Sequence, residues 1–184
     1  LLYWQYAVLL FVILSAGILL RCYFPYFRSM WGDEAHSFYK AYWLRGNISL
    51  QSIIPFTAET IKQSHMPLYF VLLSVWMEIF GPAEIWLRML SMLFGCLSLA
   101  CFYFFAREIT DKKTALIGTL ILSLSPMAVM FSQEIRMYSL ALLLSILSSW
   151  AFVRCIFKGA SALRLISYFF ITALFCLTHV YALL

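Results

Sequence analysis

The sequence predicts an all-α, polytopic membrane protein: about five transmembrane helices, plus juxtamembrane helices lying along the outer face. Three observations carry this. Mean hydropathy is +0.91, and only 11% of the residues are charged. Apolar runs of about 18 residues or more recur, the length that spans a bilayer. The chain also begins and ends inside such runs, which predicts a piece of a longer protein.

The first run, 3–20, lacks a basic start, and Leu20 is followed by Arg-Cys-Tyr rather than a small-residue cleavage site. It therefore reads as a retained span and not a signal peptide. Further spans are expected over 85–106, 114–131, 137–157 and 165–184, each covering about 30 Å at about 1.5 Å per residue. The stretch "PLYFVLLSVWMEIF" (67–80) is short, carries Glu78 and ends at Gly81-Pro82. It fits an interfacial or re-entrant helix better than a span.

Basic residues then orient the chain. If 67–80 does not cross, "REITDKK" (107–113) and "KGASALR" (158–164) share one side, which the positive-inside rule makes cytoplasmic. The segment 21–84, the 132–136 loop and the end of the last span then lie outside, and all three histidines lie there too. Within 21–84, "DEAHSFYKAYWLR" reads as an amphipathic helix closed by Gly46. A second amphipathic piece around Ile53, Ile54, Phe56 and Ile61 is expected to break at Pro55. The five cysteines show no CxxC spacing, so neither a disulfide framework nor a zinc site is expected. No basic run is dense enough for nucleic acid, and P-loop, GxSxG and HExxH motifs are absent.

Chemistry concentrates at the outer face. Adjacent Asp33 and Glu34 sit near a helix N-terminus. They read either as a cap plus a solvated acid, or as a general base or metal ligand at the membrane surface. They point about 100° apart on a helix, so their tasks differ. His36 shares a face with Asp33 and reads as a bystander. His65 precedes Pro67, which can start a helix. Arg88 lies one turn inside an apolar run, where it either snorkels or meets a partner. "SQEIRMYS" (132–139) brings Glu134, Arg136 and Tyr138, with Arg136 able to bind phosphate bidentately. His179, with Tyr181, closes the last run.

The motifs "WGDEAHSFY", "HMPLYFVLLSVWMEIFG", "EIWLRMLSMLFG", "LSPMAVMFSQEIRMYSLALL" and "LTHVYALL" occur in this order. That succession resembles the N-terminal part of family 39-like glycosyltransferases of the GT-C superfamily. Their relatives are the dolichyl-phosphate-mannose protein mannosyltransferases and the lipid A aminoarabinose transferases. The resemblance covers nearly the whole chain, 1–184, as part of one transmembrane catalytic domain, with 21–84 as its first extracytoplasmic loop. It implies inverting transfer of a sugar from a polyprenyl-phosphate donor to a glycan, lipid or protein acceptor on the extracytoplasmic face of a bacterial inner or plasma membrane. It implies Asp33 as general base and Glu34 as its support or a sugar contact. Arg88 and Arg136 would neutralise the leaving phosphate, and His65, Glu134, Tyr138 and His179 would bind substrate. Met66 stands where that family usually has the first proline of a His-Pro-Pro motif. The sequence requires no cofactor and leaves room for a divalent metal. The alternative is a transporter or flippase half that binds a lipid headgroup, which polar groups near the midplane would favour.

Overall fold

The structure is a computed structural model that describes residues 2–23 and 29–183. Leu1, Leu184 and the 24–28 part of the 21–84 segment lie outside the described residues, as does the side chain of Tyr181. The described residues are helical and contain no strand. In order, the helices are α1 (Leu2–Cys22), α2 (Gly32–Leu44), α3 (Leu50–Lys62), α4 (Leu68–Phe80), α5 (Glu84–Ile109), α6 (Lys112–Leu124), α7 (Pro126–Ser132), α8 (Tyr138–Phe157) and α9 (Ala162–Cys176). A short 3-10 turn, Val180–Leu183, follows.

Three helices, α1, α5 and α8, are long and apolar enough to cross a membrane, and a bent pair raises this to four. The described residues thus hold three or four candidate spans, against about five expected. The run at 114–131 is the bent pair, with α6 and α7 meeting at 59°. Pro126 has no N–H for the carbonyl of Leu122, so the ladder opens there. Arg21, fully buried at the end of α1, fills the gap. Its guanidinium donates to the carbonyls of Leu122 (3.2 Å), Ser123 (3.2 Å) and Gly17 (3.0 Å). The last run is shorter than expected because α9 stops at Cys176. Thr178 Oγ1 then turns back onto the carbonyl of Leu174 (2.8 Å), and the chain leaves the helix axis.

Small residues bring the spans together. A Cβ on Gly95 of α5 would lie 2.1 Å from Ser132 Oγ of α7, and one on Gly17 of α1 would lie 2.5 Å from Leu99 Cδ1. Such backbone approach is how helices associate when the surrounding lipid is as apolar as they are. The outward faces carry large apolar side chains, among them Trp4, Phe11, Phe169 and Phe170.

The short helices form a cap at one end of this bundle. α4 has 13 residues, about 20 Å, too short for the hydrocarbon core. It buries Tyr69, Phe70, Leu73, Ser74 and Met77 along one face. That face joins Ala41 and Leu44 of α2, Phe56 of α3, Leu87 and Leu90 of α5, and Ile135 and Leu140 in a continuous core. Leu44 is thus an inward residue, while Tyr42 and Trp43 stay exposed at the interface. α3 runs unbroken through Pro55. Ser49 and Ser52 cap its first turn reciprocally and stabilise it ahead of the proline.

The opposite end is held by charges. Glu108 of α5 contacts Arg154 (3.8 Å), Lys158 and Trp150 Nε1 (3.1 Å). The basic residues of 107–113 and 158–164 therefore lie at the end away from the cap.

Candidate active site

α2 delivers both carboxylates, in different directions. Its N-cap is Trp31, so Asp33 and Glu34 occupy the second and third helical positions. Glu34 Oε2 accepts from the Trp31 N–H at 3.3 Å, one half of a capping box. The same side chain is 1% exposed. Its Oε1 accepts from Arg88 (2.7 Å) and from the N–H of Ile135 (2.9 Å), and Oε2 takes a second Arg88 bond (3.1 Å). Glu34 is thus the cap, and also a clamp joining α2, α5 and the 133–137 turn.

Arg88 is buried at the centre of that clamp. Its five N–H groups are all engaged. Nε and Nη2 donate to Glu84 Oε1 (2.9 and 2.6 Å), Nη1 and Nη2 to Glu34, and Nη1 also to the carbonyl of Gln133 (2.6 Å). Arg88 is expected from the resemblance at a leaving phosphate; in this structure its guanidinium meets two carboxylates and a carbonyl. Gln133 extends the clamp by donating to the carbonyls of Leu20 (3.0 Å), Arg21 (3.3 Å) and Tyr23 (2.9 Å) at the end of α1.

Asp33 has the opposite character. Its side chain is 51% exposed, with Oδ2 3.5 Å from Arg136 Nη2. Arg136 is buried and donates through Nη1 to the Asp33 carbonyl (3.2 Å) and to Ser37 Oγ (3.4 Å). Its Nε is shielded from solvent without a hydrogen-bond partner. The guanidinium also lies 5.6 Å from the Tyr138 ring, which in turn sits 5.8 Å from His179. Glu134 is buried in the same turn.

His65 reaches this group through backbone strain. α3 ends in a Schellman motif: the His65 N–H bonds the Thr60 carbonyl (3.1 Å) and the Ser64 N–H bonds that of Ile61 (2.9 Å). Ser64 takes the left-handed position with φ 61°, where glycine is usual. The motif reverses the chain and lays His65 against His36, with ring centroids 5.1 Å apart. His65 Nδ1 lies 2.7 Å from the carbonyl of Gln63 and so carries the proton. His36, read from the sequence as a bystander, is therefore part of the cluster. The signal was its place on the Asp33 face of α2; the His65 contact needed the fold.

Burial holds His36 and His179 below the ordinary histidine range, with Arg136 and His65 adding to the effect on both and Lys40 on His36. Among the described residues no group of three or more His, Cys, Asp or Glu converges as a metal site would require. The cationic group beside Asp33 is Arg136.

A helical bundle spans the membrane, and at one end helices cap a half-exposed carboxylate, a buried arginine and histidines. This is the architecture of an integral membrane protein. A family model described as dolichyl-phosphate-mannose-protein mannosyltransferase matches residues 64–184. The chain belongs to that family, of GT-C type, and is a mannosyltransferase-like membrane glycosyltransferase. The match takes in His65, Arg88, Glu134, Arg136, Tyr138 and His179, and starts after α2 with its Asp33-Glu34 pair. No curated protein and no solved structure matches the chain.

Proposed function

We propose that the protein transfers a sugar, with inversion, from a polyprenyl-phosphate donor to an acceptor hydroxyl at the extracytoplasmic membrane face, with Asp33 as general base. The observation that carries this is the pairing of half-exposed Asp33 with buried Arg136 at the capped end of the bundle. The donor's tail stays in lipid, so its sugar must react at that depth.

Asp33 takes the proton of the acceptor hydroxyl, and that oxygen attacks the anomeric carbon. The bond from the anomeric carbon to the phosphate oxygen breaks, and the phosphate leaves with the electron pair. Arg136, whose Nε lacks a partner in the resting site, moves onto the departing phosphate. Tyr138, His179 and His65 line the sugar's path, and Glu134 shapes the turn beneath it. Glu34 and Arg88 act at one remove, holding α2 against the 133–137 turn so that Asp33 and Arg136 stay in register.

Asp33→Asn keeps the shape and removes the base. Loss of a general base costs about 10²- to 10⁴-fold in rate. In a polyprenyl-phosphate-sugar transfer assay this variant is expected to insert normally and turn over at that reduced level. Turnover like that of the wild type overturns the base assignment. The orientation is checked by a cysteine placed at Lys112, which an impermeant reagent should not label in intact cells; labelling would put the basic loops outside.

A further inference from the structure

α8 and α9 run antiparallel in one register. Ser148 Oγ meets Thr172 Oγ1 at 2.7 Å, and the Phe152 and Tyr168 ring centroids lie 5.5 Å apart. Toward the end away from the cap, the two helices enclose an open cleft of about 370 Å³. That volume lies within the range of small-molecule sites, about 300–1,000 Å³. The lining is graded in the same direction on both helices. Leu147 of α8 and Ile171 of α9 form an apolar floor, Trp150 stands midway, and Arg154, Lys158 and Arg164 form the rim. Leu147 to Arg154, and Ile171 to Arg164, each span about 10 Å of helix rise. Leu163 in the wall is exposed, as are Ile166 and Phe170 on the next turns of α9, so the cleft opens onto the lipid-facing surface.

The rim carries more positive charge than the protein itself answers. Glu108 of α5 reaches Lys158 and, at 3.8 Å, Arg154, so one carboxylate is shared by two cations. The Arg154 guanidinium lies 5.2 Å over the Trp150 ring, which holds it at the rim. Arg164 meets no carboxylate among the described residues. Its Nη1 donates to the carbonyls of Lys158 and Gly159 (2.6 Å), which leaves Nε and Nη2 for another acceptor. Asp111, the remaining acid at this end, caps α6 through the Thr114 N–H at 2.6 Å. Cationic donors therefore stand in excess above an apolar floor. Basic pockets between membrane helices take anionic lipid head groups, and a tryptophan suits the same depth, where its ring meets the interface.

We infer that this cleft binds an anionic phospholipid of the adjoining leaflet: its phosphodiester oxygens take Lys158 and Arg164, and an acyl chain lies along the Leu147–Ile171 floor. Arg154 stays with Glu108 and Trp150. The site lies at the end of the bundle opposite Asp33 and is independent of the transfer reaction proposed above.

The test is equilibrium binding to the protein in neutral maltoside micelles. The probes are dihexanoyl phosphatidylglycerol, dihexanoyl phosphatidylcholine and glycerol 3-phosphate. Phosphatidylglycerol is expected to bind about tenfold more tightly than phosphatidylcholine. Lys158→Gln with Arg164→Gln should reduce that preference to about twofold or less. Lys112→Gln with Lys113→Gln removes as much charge from the same end, outside the cleft, and should leave the preference intact. Ser167→Phe changes no charge and fills the cleft from an exposed position of α9; it should weaken phosphatidylglycerol binding about tenfold. Equal binding of the two lipids by the wild type overturns the inference. So does a preference that survives the Lys158, Arg164 double variant, or one lost equally in the Lys112, Lys113 pair, which would reduce the effect to general surface charge. Phosphatidylglycerol binding unchanged by Ser167→Phe would remove the cleft as its place. Glycerol 3-phosphate binding as tightly as phosphatidylglycerol would show that no acyl chain is recognised, and overturns it as well.

Discussion

Replacing Glu34 tests the clamp on which the site geometry depends. Its carboxylate is 1% exposed and holds two Arg88 bonds, the Ile135 N–H and the Trp31 N–H. Breaking a buried pair by deleting one partner costs about 3–5 kcal/mol when the other charge is stranded. Here Arg88 keeps Glu84 at 2.6 Å, so its charge retains a counterion. The orphaned Ile135 N–H adds about 1–3 kcal/mol, as a buried donor without an acceptor. Glu34→Ala is therefore expected to cost about 3–4 kcal/mol. Glu34→Gln keeps one acceptor oxygen but turns its amide NH2 toward two N–H donors, those of Arg88 and Trp31 if the oxygen keeps the Ile135 side, so about 1.5–3 kcal/mol is expected. Glu59→Gln is the control. The Lys62–Glu59 pair has side chains 75% and 62% exposed, and its loss should cost about 0–1 kcal/mol. The measurement is denaturant unfolding in mixed micelles, with a double-mutant cycle between Glu34→Gln and Arg88→Met. A coupling of about 1.5 kcal/mol or more is expected for residues in direct contact. Additive costs, or a Glu34→Ala cost no larger than that of Glu59→Gln, would refute the clamp.

Three further outcomes follow from the same contacts. Gly95→Ala places a methyl within 2.1 Å of Ser132 Oγ and 2.7 Å of its Cβ, so a loss of about 1–3 kcal/mol is expected; Ser132→Gly in the same chain should recover part of it in the same unfolding assay. Arg21→Met leaves the Leu122 and Ser123 carbonyls unmatched at the α6–α7 bend and should cost about 2–4 kcal/mol; a thermal midpoint unchanged from wild type would show that the bend does not need it. His36 and His179 titrate below their unfolded value, so the unfolded chain binds more protons just under the ordinary histidine pKa of about 6.5. Their contribution is complete above that pH and is lost as pH falls through the lower folded values. Stability should thus decline as pH falls below about 6.5, and the decline should be shallower in the His36→Gln, His179→Gln double variant.

Much of the molecule is legible along the chain. Apolar length and charge position announce a helical membrane protein, Gly46 and Gly81 close their helices at positive φ, and the carboxylates at the start of α2 stand out in so apolar a chain. These are local properties, set by periodicity, propensity and the cost of charge in lipid. The number of crossings was not legible in the same way. Whether 114–131 is one span depends on what receives the Leu122 carbonyl, and Arg21, distant in sequence, supplies that partner. Likewise 165–184 reads as one apolar run, and only the turn at Thr178 ends its helix.

The site divides along the same line. The sequence by itself marked Asp33, Glu34, His65, Arg88, Arg136 and His179 as polar groups bound for one face. Only the tertiary structure decided which of them face solvent and which are consumed. Two adjacent acids on a helix point about 100° apart, so burying one against Arg88 leaves the other at the surface beside Arg136. Sequence proximity cannot say which, because the answer depends on where α5 and the 133–137 turn dock. The same docking set Lys40 over Phe70 and His36 against His65, contacts between segments whose separation along the chain leaves no periodic trace.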